Sequence, residues 1–493
     1  MSAIEPQKQR KHKATSDRQR RQHKGLSKKR RRRKRLSQRQ RHARLTERRR
    51  RRVARRLQPR CGDARSEPLF SARNIHYDVS ERTTATHAGG LGAMHLLAQQ
   101  SGLVDAINET LSLLKVHQPY HESDHVLNIA YNILAGGHCL EDLELRRQDE
   151  AYLDGLGADR VPDPTTAGDF CRRFSEDDVL KLMHAINDVR KSIWQQQPAS
   201  FFDEAIIEAD GAITPTTGEC KEGMHLSHKG EWGYHPLVIT LANTGEVLFV
   251  INRPGNRPSH EDAAKYLDMA AQLCHEAGFK HVRFRGDTDF SQTRHLDGWD
   301  TADHRFIFGM DAMQNLVHQA DELPDEAWTP LERRPRYTVK TEPRTRPVNV
   351  KEQIVRERGY KNIKLQSEHV AEFKYRPTAC SRSYRMIVLR KNLSIEKGEQ
   401  RLFDEVRYFF YITNDPFPSA SQVVFEANDR CDQENLIAQL KGGVKALHAP
   451  VDNLVSNWAY MVMASLAWTL KAWFALSLPE SPRWRQKHQR EKR

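Results

Sequence analysis

The stretch Ala205-Ile206-Ile207-Glu208-Ala209-Asp210-Gly211 decides the fold. Apolar residues fill its first half, two carboxylates its second, and Gly211 stops it. That is the pattern of a buried strand ending on acids. An acid at the exposed end of such a strand is held rigidly, as a metal ligand must be. One acid so placed is equally a strand surfacing into water. A second strand of the same kind changes the balance. In residues 279–290, Val282 and Phe284 alternate with basic residues, and the run ends at Gly286-Asp287. Two strands that each end on an acid can set those acids side by side in a sheet.

Around them, residues 201–315 alternate strands and helices. A strand at 237–242 turns through Asn243-Thr244-Gly245-Glu246 into one at 247–252, forming a hairpin. A helix at 260–277, capped by Ser259 and ended by Gly278, precedes the Asp287 strand, and a further strand follows at 305–310. Three antiparallel strands, a helix and two more strands is the order of the ribonuclease-H-like fold, an α/β class. Its first and fourth strands are neighbours, so Asp210 is expected beside Asp287. Residues 316–405 are rich in charge and proline, with strand-like pieces at 371–375 and 384–389. They read as an inserted β-rich subdomain.

The core resumes over 406–480 with a strand at 408–413 and two helices, at about 429–441 and 453–478. On the first, Arg430, Glu434 and Lys441 fall within about 40° of one another, on one face. The second is interrupted by Ser465, Thr469 and Lys471, so it reads as a core helix rather than a membrane span.

The chain carries a formal charge of +15 over 493 residues, unevenly. Residues 1–60 hold 27 Lys and Arg against Glu5, Asp17 and Glu47, a net of +24, which leaves −9 for the rest. With no apolar stripe this arm is expected to be disordered alone and to condense on polyanions. Residues 61–200 read as a helical N-terminal domain, and 481–493 as a basic tail. No apolar run follows the N-terminal charges, which argues against a secretory signal. Seven scattered cysteines without a CxxC pair argue for a reducing compartment and against a thiolate zinc site. His121-Glu122-Ser123-Asp124-His125 matches the HExxH zinc-protease pattern. That chemistry needs both histidines on one helix face, and Ser123 or Asp124 reads as the cap of a helix beginning near Val126, leaving His121 outside.

With these residues in place the chain resembles the DDE transposases of bacterial insertion sequences, of the IS4-like group and the IS1380-type family. The likeness spans most of 70–476. It rests on Glu208-Ala209-Asp210-Gly211, Trp232-Gly233-Tyr234-His235-Pro236-Leu237, Arg253-Pro254-Gly255-Asn256, Arg285-Gly286-Asp287-Thr288-Asp289-Phe290, and Arg430-x-x-x-Glu434 followed by Lys441. Ala427 stands where that family has Tyr, and Glu208 where it has Asp.

The resemblance implies catalytic and metal-binding roles for Asp210, Asp287 and Glu434, with Arg430 and Lys441 on DNA. It also implies two Mg²⁺ or Mn²⁺ ions, cleavage of transposon ends and transfer of the 3′-OH to target DNA. A homodimer in the active complex and a cytoplasmic, nucleoid-associated location without a membrane belong to the same expectation. The competing expectation is a nucleic-acid-binding protein whose nuclease-like core is inactive or repurposed.

Sequence-independent DNA affinity should come largely from residues 1–60. Comparing the full chain with residues 61–493 on random duplex, the deletion should flatten the salt dependence. If about ten basic residues engage phosphate, the lost slope is about nine in log K per decade of salt. Equal slopes would assign the arm another partner.

Overall fold

The two acid-ended stretches are adjacent parallel strands. The computed structural model describes residues 40, 43–48, 50–51, 89–117, 119–218, 220–333, 350–397 and 400–478. The chain divides into two units, Met1–Asp63 and Ala64–Arg493. Most of the basic arm, residues 61–88 and the 481–493 tail lie outside the described residues. The described part of the arm is helical, with Arg51 paired to Glu47 one turn away at 3.2 Å. Arg and Leu are good helix formers and the pair adds local support.

In the second unit, β1 (Glu204–Gly211) pairs antiparallel with β2 (Leu237–Leu241), which pairs with β3 (Glu246–Ile251). On its other side β1 runs parallel to β4 (His281–Gly286), and β4 parallel to β5 (His304–Met310). The order is therefore 3-2-1-4-5. Asn243 ties the hairpin turn to β1, accepting from the Ile206 amide and donating to the Glu204 carbonyl, both at 2.8 Å. The helix at Ala263–Ala277 is the crossover between β3 and β4.

The sheet continues past β5 through β8 (Gln400–Thr413), β7 (Tyr384–Lys397) and β6 (Lys361–Tyr375), ending on Thr329–Pro330. The region read as an insertion thus extends the same sheet, with strands of 14 or 15 residues in place of the short pieces expected. Met386–Leu389 in the inner half of β7 are buried, and so are Leu393 and Ile395 farther out, whereas Ile363 and Leu365 on β6 and Phe403 on β8 are exposed. Apolar patterning marks buried strand, so the exposed outer half of β6 left little mark.

Most of residues 91–194 form helices joined by turns, including α1 (Glu122–Leu134) and α2 (Glu176–Trp194). The crossover α3 (Ala263–Ala277) starts later than Ser259 implies; Asp262, at φ +58°, precedes it. Beyond the sheet come α4 (Ala420–Asn428), α5 (Cys431–Ala438) and α6 (Leu454–Leu476). By length and composition α6 could cross a membrane, yet 78% of its apolar window is buried inside the protein. It packs on α1, α2 and β3 as a core helix.

The indoles of α6 fix it to the hairpin. Trp458 donates to the Val250 carbonyl, Trp468 to that of Gly245 at 2.6 Å, and Trp473 to the Glu246 carboxylate at 2.8 Å. Glu246, fully buried, also accepts from Arg190 at 3.1 Å, Trp194 at 2.9 Å and Thr244 at 2.6 Å. One carboxylate thereby joins β3, α2 and α6.

Glu246→Ala would leave the buried Arg190 without its counter-charge and strand two indole donors. Unfolding free energy should fall by about 3–5 kcal/mol in urea titration. A loss under about 1 kcal/mol would show that the core does not depend on this node.

Candidate functional site

The parallel register of β1 and β4 sets Glu208 opposite Arg285, so Asp210 and Asp287 emerge together just beyond the paired segment. Each is followed or preceded by a glycine with no room for a side chain. A Cβ on Gly211 would meet His235 Nε2 at 2.6 Å, and one on Gly286 would meet Phe290 Cβ at 2.8 Å. Both aspartates spend one oxygen on backbone. Asp210 Oδ1 accepts from the Gly211 amide at 2.8 Å, and Asp287 Oδ1 from that of Asp289 at 3.0 Å. The second oxygen of each faces a common point.

That point is the Arg430 guanidinium. Its Nη1 lies 3.4 Å from Asp210 Oδ2, and its Nη2 lies 3.6 Å from Asp287 Oδ2 and 3.0 Å from Glu434 Oε1. Arg430 sits between α4 and α5, so the helix expected over 429–441 starts two residues later, just past this arginine, and passes into a π turn after Ala438. Leu436 and Ile437 bury the other side of α5, and the buried Gln433 reaches the Val238 carbonyl on β2. Val238 pairs with Asp210, so α5 is docked directly over the acid end of β1. Lys441 lies in a π-helical turn, Gln439–Gly443, that follows α5. The structure thus gathers Asp210, Asp287, Glu434 and Arg430, with Lys441 near enough to feel the charge of Asp210.

The charges here are poorly balanced. Burial pushes the Asp210 carboxyl up to about 6; Arg430 opposes the shift and the charge on Asp287 adds to it. Burial also raises Asp287, again against Arg430. Burial lowers Lys441, with Lys229 acting in the same direction. Glu208, the alternative ligand on the same strand face, is spoken for. It is buried, and its Oε1 accepts from Arg285 Nε at 2.7 Å and Nη2 at 2.6 Å, while burial pushes it up to about 7.

Among the described residues no group of three or more His, Cys, Asp or Glu is spaced as a metal shell. Where the three acids point, the positive charge is the guanidinium. The donor set, carboxylate oxygens alone, nonetheless suits a hard divalent cation.

A buried ionic ladder beside the acids was not foreseen. Arg283 pairs with Glu204 at 3.0 Å, Asp415 at 2.8 Å and Glu426 at 2.7 Å, and Arg285 Nη1 donates to the Glu426 carbonyl at 2.9 Å. Its only trace in the sequence is matched spacing: acids at 204 and 208 on one strand, arginines at 283 and 285 on the other.

The HExxH pair does not converge. His121 lies outside α1 as its cap, with its amide donating to Asp124 at 2.9 Å, so the helix starts earlier than Ser123 or Asp124 suggests. His121 stacks on His117, whereas His125 is buried against Phe170 with ring centres 4.4 Å apart. Burial lowers His125 to about 4.

The family model described as "Transposase DDE domain group 1" matches residues 68–491. No curated protein matches. Among solved structures, a piggyBac transposase synaptic complex with hairpin DNA aligns at 11% identity with a TM-score of 0.34. That alignment covers 80% of this chain and 84% of the other.

The two neighbouring acids of β1 should respond oppositely to replacement. Glu208→Ala strands a buried guanidinium and should cost about 3–5 kcal/mol in urea unfolding. Asp210→Asn removes one of three crowded acids from a partly exposed cluster and should cost under about 1 kcal/mol. The reverse order would make Asp210 a structural residue.

Proposed function

The chain belongs to the transposase DDE domain group 1 family, and we propose that it cuts the ends of an IS4-like, IS1380-type element and joins the freed 3′-OH to target DNA. The observation that carries this reading is the convergence of Asp210, Asp287 and Glu434 on one cationic group. A protein that only coats nucleic acid has no use for three acids at one point, two of them partly buried. The 3-2-1-4-5 strand order supports a ribonuclease-H-like core.

Asp210, Asp287 and Glu434 would hold two Mg²⁺ or Mn²⁺ ions, which supply an activated water and stabilise the departing 3′-oxygen. The chain's own part is positional. Backbone amides fix one oxygen of each aspartate, so the other is presented without a search through rotamers. Arg430 and Lys441 bring positive charge to the edge of the acids, where a scissile phosphate would lie. The ladder beneath keeps the two aspartate-bearing strands from sliding. We place the protein on DNA in the bacterial cytoplasm, as a homodimer when the ends are paired.

Replacing Asp210, Asp287 or Glu434 by its amide should abolish cleavage of end-bearing duplex while leaving binding within about threefold, because the amide keeps shape and loses charge. Wild-type cleavage should require Mg²⁺ or Mn²⁺ and stop in chelator. Near-normal cleavage by Glu434→Gln would remove the third acid from the site.

A further inference from the structure

We infer that Arg430 is a built-in counter-ion that competes with divalent cations for the carboxylates of Asp210, Asp287 and Glu434, so that cation loading requires its guanidinium to leave. The inference rests on the function proposed above and adds a step that the acids alone do not imply. One guanidinium faces three acids, and its two terminal nitrogens account for all three contacts, at 3.4, 3.6 and 3.0 Å. It stands between the groups that a cation would have to bridge, so both cannot hold the same oxygens at once.

The contacts are also of a kind that can be given up. Two of the three exceed ordinary charge-assisted hydrogen-bond length, and the Arg430 side chain is 17% exposed. Arg283 and Arg285 show the opposite design a few ångströms deeper in the sheet. They are nearly fully buried and hold their acids at 2.6–3.0 Å. Those two arginines are fixed parts of the scaffold, whereas Arg430 is loosely held by comparison.

Its anchorage permits movement. Arg430 precedes α5 at a break between two helices, so the side chain can swing without unwinding either one. Once displaced, a guanidinium at the rim of the acids has an obvious destination in phosphate, which it can bind through two parallel hydrogen bonds. A cation arriving among the acids and a phosphate arriving at Arg430 would then favour one another, because linkage between two binding events is reciprocal.

The test is Mn²⁺ binding to the full chain without DNA, read from the free-ion electron paramagnetic resonance signal. Arg430→Gln should bind Mn²⁺ about tenfold more tightly than wild type, since each partly exposed ion pair removed is worth only a few-fold. Arg430→Lys, which keeps a competing charge, should stay within about threefold of wild type. Thermal unfolding gives a second readout. In chelator Arg430→Gln should melt below wild type, and Mn²⁺ should raise its midpoint by more than it raises that of wild type. Wild-type binding that Asp210→Asn and Asp287→Asn abolish, but that Arg430→Gln leaves unchanged or weakens, would overturn the counter-ion role and leave the proposed function standing. Equally tight binding by Arg430→Gln and Arg430→Lys would overturn it too, because charge would then not be the competitor. No Mn²⁺ binding by wild type or by Arg430→Gln would overturn both readings.

Discussion

The site depends on β1 and β4 keeping one register. A one-residue slip in a strand turns every side chain to the other face, which would send Asp210 or Asp287 away from its partner. Ile207 and Phe284 oppose a slip by their burial on one face, and the ladder of Glu204 with Arg283 and Glu208 with Arg285 opposes it on the other. Buried ion pairs contribute little net stability, since desolvation offsets the attraction, but breaking one is costly. A one-residue slip would turn both buried guanidiniums away from Glu204 and Glu208.

The same arginines reach outward. Arg283 holds the Glu426 side chain and Arg285 the Glu426 carbonyl, so the ladder that sets the register also seats α4. At the end of α4 the chain turns into Arg430 and then α5, which carries Glu434. The third acid is more than a hundred residues from the second, yet its helix is docked by the groups that align the first two. Gln433 closes the arrangement from the β2 side. Two strand ends and one helix are thereby referred to a single frame.

Much of this was legible in the sequence because buried strands announce themselves. The five strands from β1 to β5 fall within two residues of where apolar runs and turns placed them, and the adjacency of Asp210 and Asp287 followed from their order. The region from 316 to 405 was harder. Exposed strand has no apolar period, so the outer half of β6 was silent and the strand-like pieces at 371–375 and 384–389 marked only the inner ends. Arg283 and Arg285 misled in another way. Alternation of basic and apolar residues ordinarily marks a wetted face, and nothing within that strand reveals that Glu204, Glu208, Asp415 and Glu426 wait to pair with it. The same limit hid the partners of Arg430, which stands at the start of α5 among the acids.

The contrast between Glu246 and the acid trio shows what the fold does with buried carboxylates. Glu246 has four donors from four residues and is left with nothing to do but hold three elements together. Asp210 and Asp287 receive one backbone donor each and share one arginine with Glu434. Satisfying them fully would have been within reach of this chain, as Glu246 demonstrates. A saturated carboxylate, however, has no lone pairs to offer. Burial without full satisfaction raises both aspartates above the ordinary range, and that cost has to be met by the packing around them. The α6 indoles against the β2–β3 hairpin, each with a carbonyl or carboxylate partner, are where the chain can meet it.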